Sequence, residues 1–180
     1  KENMEYFLEA GPIKTDKLTV RSFKVYADGA LGSRGAALKN PYTDLNSHYG
    51  KFITSKDSIE KLAYKLATTP FQMNTHAIGD DANKAVLDAY RKALVFSDDP
   101  RWRVEHAQII DTADIKLFNR KIIPSVQPTH ATSDMYWAED RLGSSRLEGA
   151  YANKALLDQA GRIALGTDFP VEEVNPIKTF

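Results

Sequence analysis

Phe71-Gln72-Met73-Asn74-Thr75-His76 is a short run of apolar and β-forming residues that stops at Gly79-Asp80. It reads as a strand leading into a turn. Asp80 or Asp81 is placed to cap a helix, and the apolar stripe Val86, Ala89, Tyr90, Ala93 and Leu94 follows at helical spacing. Asp99-Pro100 breaks that helix, and Trp102-Arg103-Val104-Glu105-His106 begins the next strand. Two strands separated by one helix and short connections form the unit of a parallel sheet, because parallel neighbours need a crossover.

The same alternation extends in both directions. Upstream, Leu18 to Tyr26 is rich in β-branched and aromatic residues and ends at Asp28-Gly29. Gly29 to Asn46 is glycine-rich and aperiodic, and reads as a long loop at the mouth of the fold. Thr54-Ser55-Lys56-Asp57 fits a capping box, followed by Ile59, Leu62, Ala63 and Leu66. Downstream, Asp111 to Arg120 reads as a helix and Lys121 to Gln127 as a strand stopped by Pro128. A polar, aromatic loop is expected from Thr129 to Glu148, and a helix from Ala150 to Ala160 with Gly161 at its C-cap. Arg162 to Asp168 reads as a last strand. Five strands interleaved with helices predict an α/β fold with a parallel sheet.

The chain has 180 residues, 42% hydrophobic and 27% charged, enough for one domain but short of the roughly 250 residues of a complete TIM barrel. Lys+Arg and Asp+Glu are both 24, so no basic surface suggests a nucleic-acid partner. Cysteine is absent, which excludes disulfides and thiolate metal sites. No apolar run approaches the length of a membrane helix, and no signal peptide is visible. A cytoplasmic protein without a membrane partner is expected.

Metal-capable or catalytic side chains recur at the strand ends: Lys24, His76, His106 and Asp168, with His130 just past the fourth strand. Active sites of α/β barrels form at the C-terminal ends of the strands, where residues distant in sequence converge. His76 and His106 are about one strand–helix unit apart and are expected on neighbouring strands at similar height, able to share a divalent ion. Asp168 is expected to add an oxygen ligand or to take a proton. Each residue also has a plain structural role: Lys24 reaching solvent or pairing with Asp28, and Asp168 capping a helix. Glu105 is expected to point away from His106, toward the helix layer, beside Arg103. Gly32-Ser33-Arg34-Gly35 lacks phosphate-loop spacing.

Five strings, in this order, resemble the amidohydrolase superfamily in its amidohydrolase family 3 branch. They are Lys24-Val25-Tyr26-Ala27-Asp28-Gly29-Ala30-Leu31-Gly32-Ser33-Arg34, Thr75-His76-Ala77-Ile78-Gly79-Asp80, Val104-Glu105-His106-Ala107, Ser125-Val126-Gln127-Pro128-Thr129-His130 and Leu165-Gly166-Thr167-Asp168-Phe169-Pro170. The resemblance implies a partial TIM (β/α)8 barrel comprising approximately strands four to eight, the chain being the C-terminal part of a longer metal-dependent hydrolase. It implies one or two divalent ions, zinc in type, held by Lys24 (carboxylated), His76, His106 and Asp168, with Asp168 also the general base. It implies a small-molecule substrate met by Arg34 and His130, and cleavage of a C–N, amide-type bond. The family's paired His-x-His has no counterpart among the four histidines here, so the isolated chain is expected to be inactive. An open half-barrel leaves unpaired edges, so self-association into a homo-oligomer is expected. Two readings stay beside this one: a non-catalytic scaffold or binding fragment, and a hydrolase of another ester-type bond.

Overall fold

The computed structural model describes residues 2–180. Helix α1 (Glu2–Ala10) leads into a hairpin of β1 (Ile13–Lys14) and β2 (Thr19–Val20). Then come β3 (Ser22–Tyr26), α2 (Lys56–Ala67), β4 (Gln72–Ala77), α3 (Asp80–Ala93) and β5 (Trp102–His106). A 3-10 helix (Thr112–Leu117) precedes β6 (Ile122–Val126), which is followed by α4 (Pro128–Asp134), α5 (Ala138–Leu142) and a second 3-10 helix (Ser144–Gly149). The chain closes with α6 (Asn153–Ala160), β7 (Ala164–Leu165) and α7 (Pro176–Thr179). Strands β3 to β7 form one parallel sheet in sequential order. Sequential order with helical crossovers is the arc of a (β/α) barrel, so the fold is α/β and TIM-barrel-like over its length.

The core lies between the sheet and its helices. Ile59, Ala63 and Leu66 of α2 and Val86, Leu87 and Tyr90 of α3 pack with Met73, Trp102, Val104 and Ile122 from the strands. Burying one such aliphatic side chain contributes about 1.5–3 kcal/mol. Tyr90 is buried whole because its hydroxyl is satisfied, lying 2.7 Å from Thr75 Oγ1 and donating to the Met73 carbonyl at 3.0 Å. Met4, Phe7 and Leu8 of α1 cover one end of this core.

Several elements differ from the sequence reading. The run Leu18–Tyr26 is divided: Thr19–Val20 turns back on Ile13–Lys14, and only Ser22–Tyr26 joins the sheet. The cap of α2 is Ser55, which accepts from the Ser58 amide, and the cap of α3 is Gly79 rather than either aspartate. The segment expected as a helix from Asp111 is 3-10, with Asp111 accepting from the Ala113 amide at 3.0 Å. The stretch Thr129–Glu148 is helical rather than a loop. Pro128 both ends β6 and occupies the first turn of α4, where its missing N–H costs nothing. The last strand keeps two residues, being paired on one side alone.

Glu105 requires a correction. Trp102 and Val104 pack into the helix layer, so Arg103 and Glu105 lie on the other, inner face. They stand in register with Asn74 and His76 there, and the Asn74 amide lies 2.9 Å from Arg103 Nη2. The expected partnership holds: Arg103 Nε donates to Glu105 Oε1 at 2.6 Å.

Candidate functional site

The ends of the sheet strands open onto one cavity of ≈ 590 Å³. Lys24 and Tyr26 reach it from β3, His76 from β4, His106 from the end of β5, His130 from α4 and Asp168 from the turn after β7. Leu31, Ile78, Trp137 and Val171 supply apolar wall. Of the metal-ligand and substrate-binding candidates from the sequence, Arg34 is the one outside this lining. Its guanidinium grips Asp44 (Nε to Oδ1 3.0 Å, Nη2 to Oδ2 2.8 Å), which Arg141 also binds, so it holds the loop beside the cavity together. Lys24 does not pair with Asp28; its ammonium lies 4.9 Å from the centre of the Tyr26 ring. Asp168 caps no helix.

His106 reaches the cavity by a backbone distortion. Strict alternation would send it with Trp102 and Val104 toward the helices, but its φ is +72°, followed by +45° at Ala107. Asp168 has φ +55°. Left-handed backbone at residues bearing a Cβ costs on the order of 1 kcal/mol each, and such residues gather where the surroundings hold them for a purpose.

The imidazoles form a row. The His76 and His106 ring centres are 4.5 Å apart, edge to face, and His106 and His130 lie parallel at 6.2 Å. One ligand atom from each of His106, His130 and Asp168 lies within 4.8 Å of the others. His76 Nε2 and His106 Nδ1 are buried without a hydrogen-bond partner. Burial pushes both imidazoles down to about 4, reinforced at His76 by His106 and Lys24, and at His106 by Lys24 and His130. Neutral histidines with unused buried nitrogens, gathered beside a carboxylate, are a donor set that fits a divalent ion of borderline softness.

The depressed histidines carry a pH signature. The unfolded chain takes up protons near 6.5, whereas the folded chain refuses them until about 4. The stabilisation is therefore complete above pH 6.5 and is lost as pH falls toward 4. The metal-free protein is expected to lose on the order of 3 kcal/mol per histidine across that window. Urea unfolding at several pH values checks this: His76→Ala with His106→Ala should flatten the acid slope, and an unchanged slope would refute it.

Three supporting residues escaped the sequence reading. Asp28 is fully buried and accepts from the amides of Ala37 (2.8 Å), Ile78 (3.0 Å) and Gly79 (2.8 Å), with Oδ1 3.6 Å from His76 Nε2. Burial pushes its carboxyl up to about 7 against the opposing pull of those amides. Gly79 is required there, since a Cβ would lie 2.0 Å from the Ala37 carbonyl oxygen. Asn83 of α3 donates to the Ala77 and Ile109 carbonyls at 3.0 and 3.2 Å, tying the segments after His76 and His106 together. Glu172 lies 2.9 Å from His130 Nδ1. The one signal for Asp28 was an Asp-Gly pair at a strand end; Glu172 and Asn83 carried none, because their partners lie far away in sequence or on the backbone.

Similarity to known proteins agrees with this geometry. Residues 2–180 match the model of the amidohydrolase family. The chain is 32% identical over 174 residues to protein LONG AFTER FAR-RED 3 of Arabidopsis thaliana, covering 94% of this chain and 30% of that protein. It is 36% identical over 157 residues to the putative amidohydrolase YtcJ of Bacillus subtilis (strain 168), covering 87% and 30%. It thus spans about 30% of the length of these curated relatives. An uncharacterized metal-dependent hydrolase from Pyrococcus horikoshii OT3 superposes with a TM-score of 0.88 at 29% identity, over 99% of this chain and 36% of that one. A second, from Pyrococcus furiosus, superposes equally well. With a matching family model over nearly its whole length and a sheet whose strand ends gather histidines and an aspartate, the chain belongs to the amidohydrolase family.

Proposed function

We propose that this chain is the C-terminal part of a metal-dependent hydrolase barrel acting on a C–N, amide-type bond of a small molecule. The observation that carries the reading is the pair of buried, unpartnered histidine nitrogens on two residues that line the same cavity as Asp168. Lys24, His76, His106 and Asp168 would hold the metal, zinc in this reading, with carboxylation turning the Lys24 amine into an anionic ligand. The metal, when bound, supplies Lewis acidity toward a substrate carbonyl and a water. Asp168 accepts the proton of the attacking water on Oδ2 and passes it to the leaving nitrogen. His130 meets the substrate at the cavity wall, whereas Arg34, outside the lining, acts indirectly by fixing the neighbouring loop through Asp44. Leu31, Ile78 and Trp137 give the same cavity an apolar wall for the non-polar part of a substrate.

Zinc content after loading and dialysis tests the assignment. Wild type is expected to retain zinc, and the His76→Ala, His106→Ala double variant to fall to background. Equal retention by both would sink it. The cytoplasm is the proposed location. Among the described residues no helix is long and apolar enough to cross a membrane.

Among the described residues, strands β3 and β7 each lack a neighbour on their outer side in the sheet. Unpaired edges recruit further strands. The 180-residue chain alone is therefore expected to associate with copies of itself, and, with no His-x-His pair among its four histidines, to be inactive. Light scattering at high concentration that shows a clean monomer would contradict the association.

A further inference from the structure

The histidine nearest Asp168 is held from behind by a carboxylate. His130 and Ser133 are three residues apart on α4 and so share one side of it. Both grip Glu172, on the segment after β7: Ser133 Oγ donates to Glu172 Oε1 at 2.7 Å, and His130 Nδ1 lies 2.9 Å from the same oxygen. These two bonds, Ser133 first, hold the Glu172 carboxyl below the ordinary carboxylate range, so it is ionised at neutral pH. An ionised carboxylate only accepts, so the proton between it and the imidazole sits on Nδ1. The opposite nitrogen, Nε2, faces the cavity at 4.0 Å from Asp168 Oδ2, too far for a hydrogen bond between them.

We propose that Glu172 is a positioning residue: it keeps the His130 proton on Nδ1, so that Nε2 meets the substrate as a hydrogen-bond acceptor for an N–H or O–H group. This rests on the proposal that the cavity binds substrate, and it adds a requirement: the substrate carries a hydrogen-bond donor beside the atom that Asp168 serves. A secondary amide or an N-acyl amine carrying its N–H meets it. The fold brings Glu172 to His130 across 42 positions of sequence, and its carboxylate leaves the imidazole one tautomer.

Long-range proton–nitrogen correlation on the ¹⁵N-labelled chain at neutral pH reads the tautomer directly, and zinc content is measured on the same samples. In wild type, His130 is expected to show protonated Nδ1 and bare Nε2. Glu172→Ala is expected to lose that preference, and Glu172→Gln to keep it through the amide carbonyl. A wild-type His130 protonated on Nε2, whether as the other tautomer or as an imidazolium, would overturn the proposal. So would an unchanged tautomer in Glu172→Ala. Zinc is expected to persist in His130→Ala; its loss there would place Nε2 on the metal and overturn the substrate-facing role. Wild type that retains no zinc while showing the Nδ1 tautomer would count against the metal assignment and leave the role of Glu172 supported.

Discussion

Asp168→Asn is expected to slow hydrolysis of N-acyl or N-formyl substrates by the whole protein about a hundredfold to ten-thousandfold. Asparagine keeps the shape and one carbonyl oxygen but cannot take a proton, so the acid–base step loses its carrier. Asp168 is the carboxylate grouped with His106 and His130, and its backbone stands in the left-handed region at φ +55°. That region suits asparagine as well as aspartate, so the substitution leaves the local fold unstrained. The loss should appear in kcat rather than in KM, because proton transfer is made in the transition state. A variant with near wild-type kcat and intact zinc would remove Asp168 from the role of general base.

Asp28→Ala is expected to destabilise the fold by about 4 kcal/mol, since each buried amide left without its acceptor costs roughly 1–3 kcal/mol and water recovers part of the loss. The three amides that lose their acceptor belong to Ala37, Ile78 and Gly79. Two of them lie just past His76, at the exit of β4, and the third lies in the loop that crosses it. The same change should therefore weaken zinc retention as well as stability. Asp28→Asn is expected to lose less, because one amide oxygen still accepts. Urea unfolding monitored by circular dichroism measures the difference. A loss below about 1 kcal/mol in Asp28→Ala would show that the crossing loop is held by other contacts.

Much of the architecture was legible because it rests on local rules. The apolar periods of α2 and α3 and the β-rich runs before them needed no tertiary information, and Gly161 ends α6 in the left-handed conformation its position suggested, with φ +75°. The convergence of Lys24, His76, His106, His130 and Asp168 on one cavity follows from the parallel order of the strands, which places successive strand ends at one edge of the sheet. The misreadings have separate causes. Thr129–Glu148 lacks a sustained apolar stripe, so its short helices gave no periodic signal; they are set by Pro128 and by what they pack against. Glu105 was placed on the wrong face because His106 was assumed to obey the alternation that its own φ of +72° breaks.

What the sequence by itself determined is the order of the five sheet strands with the helices α2, α3 and α6 between them, and the residue types waiting at the strand ends. Both follow from side-chain period and turn chemistry, which act over a few residues. Only the tertiary structure decided which groups support them. Asp28 serves backbone amides 9, 50 and 51 positions away, and Glu172 reaches His130 across 42. Contacts made by loop closure and satisfied by buried backbone leave no periodicity in a chain. They exist because a carboxylate or an imidazole taken out of water must find a partner wherever the fold has brought one.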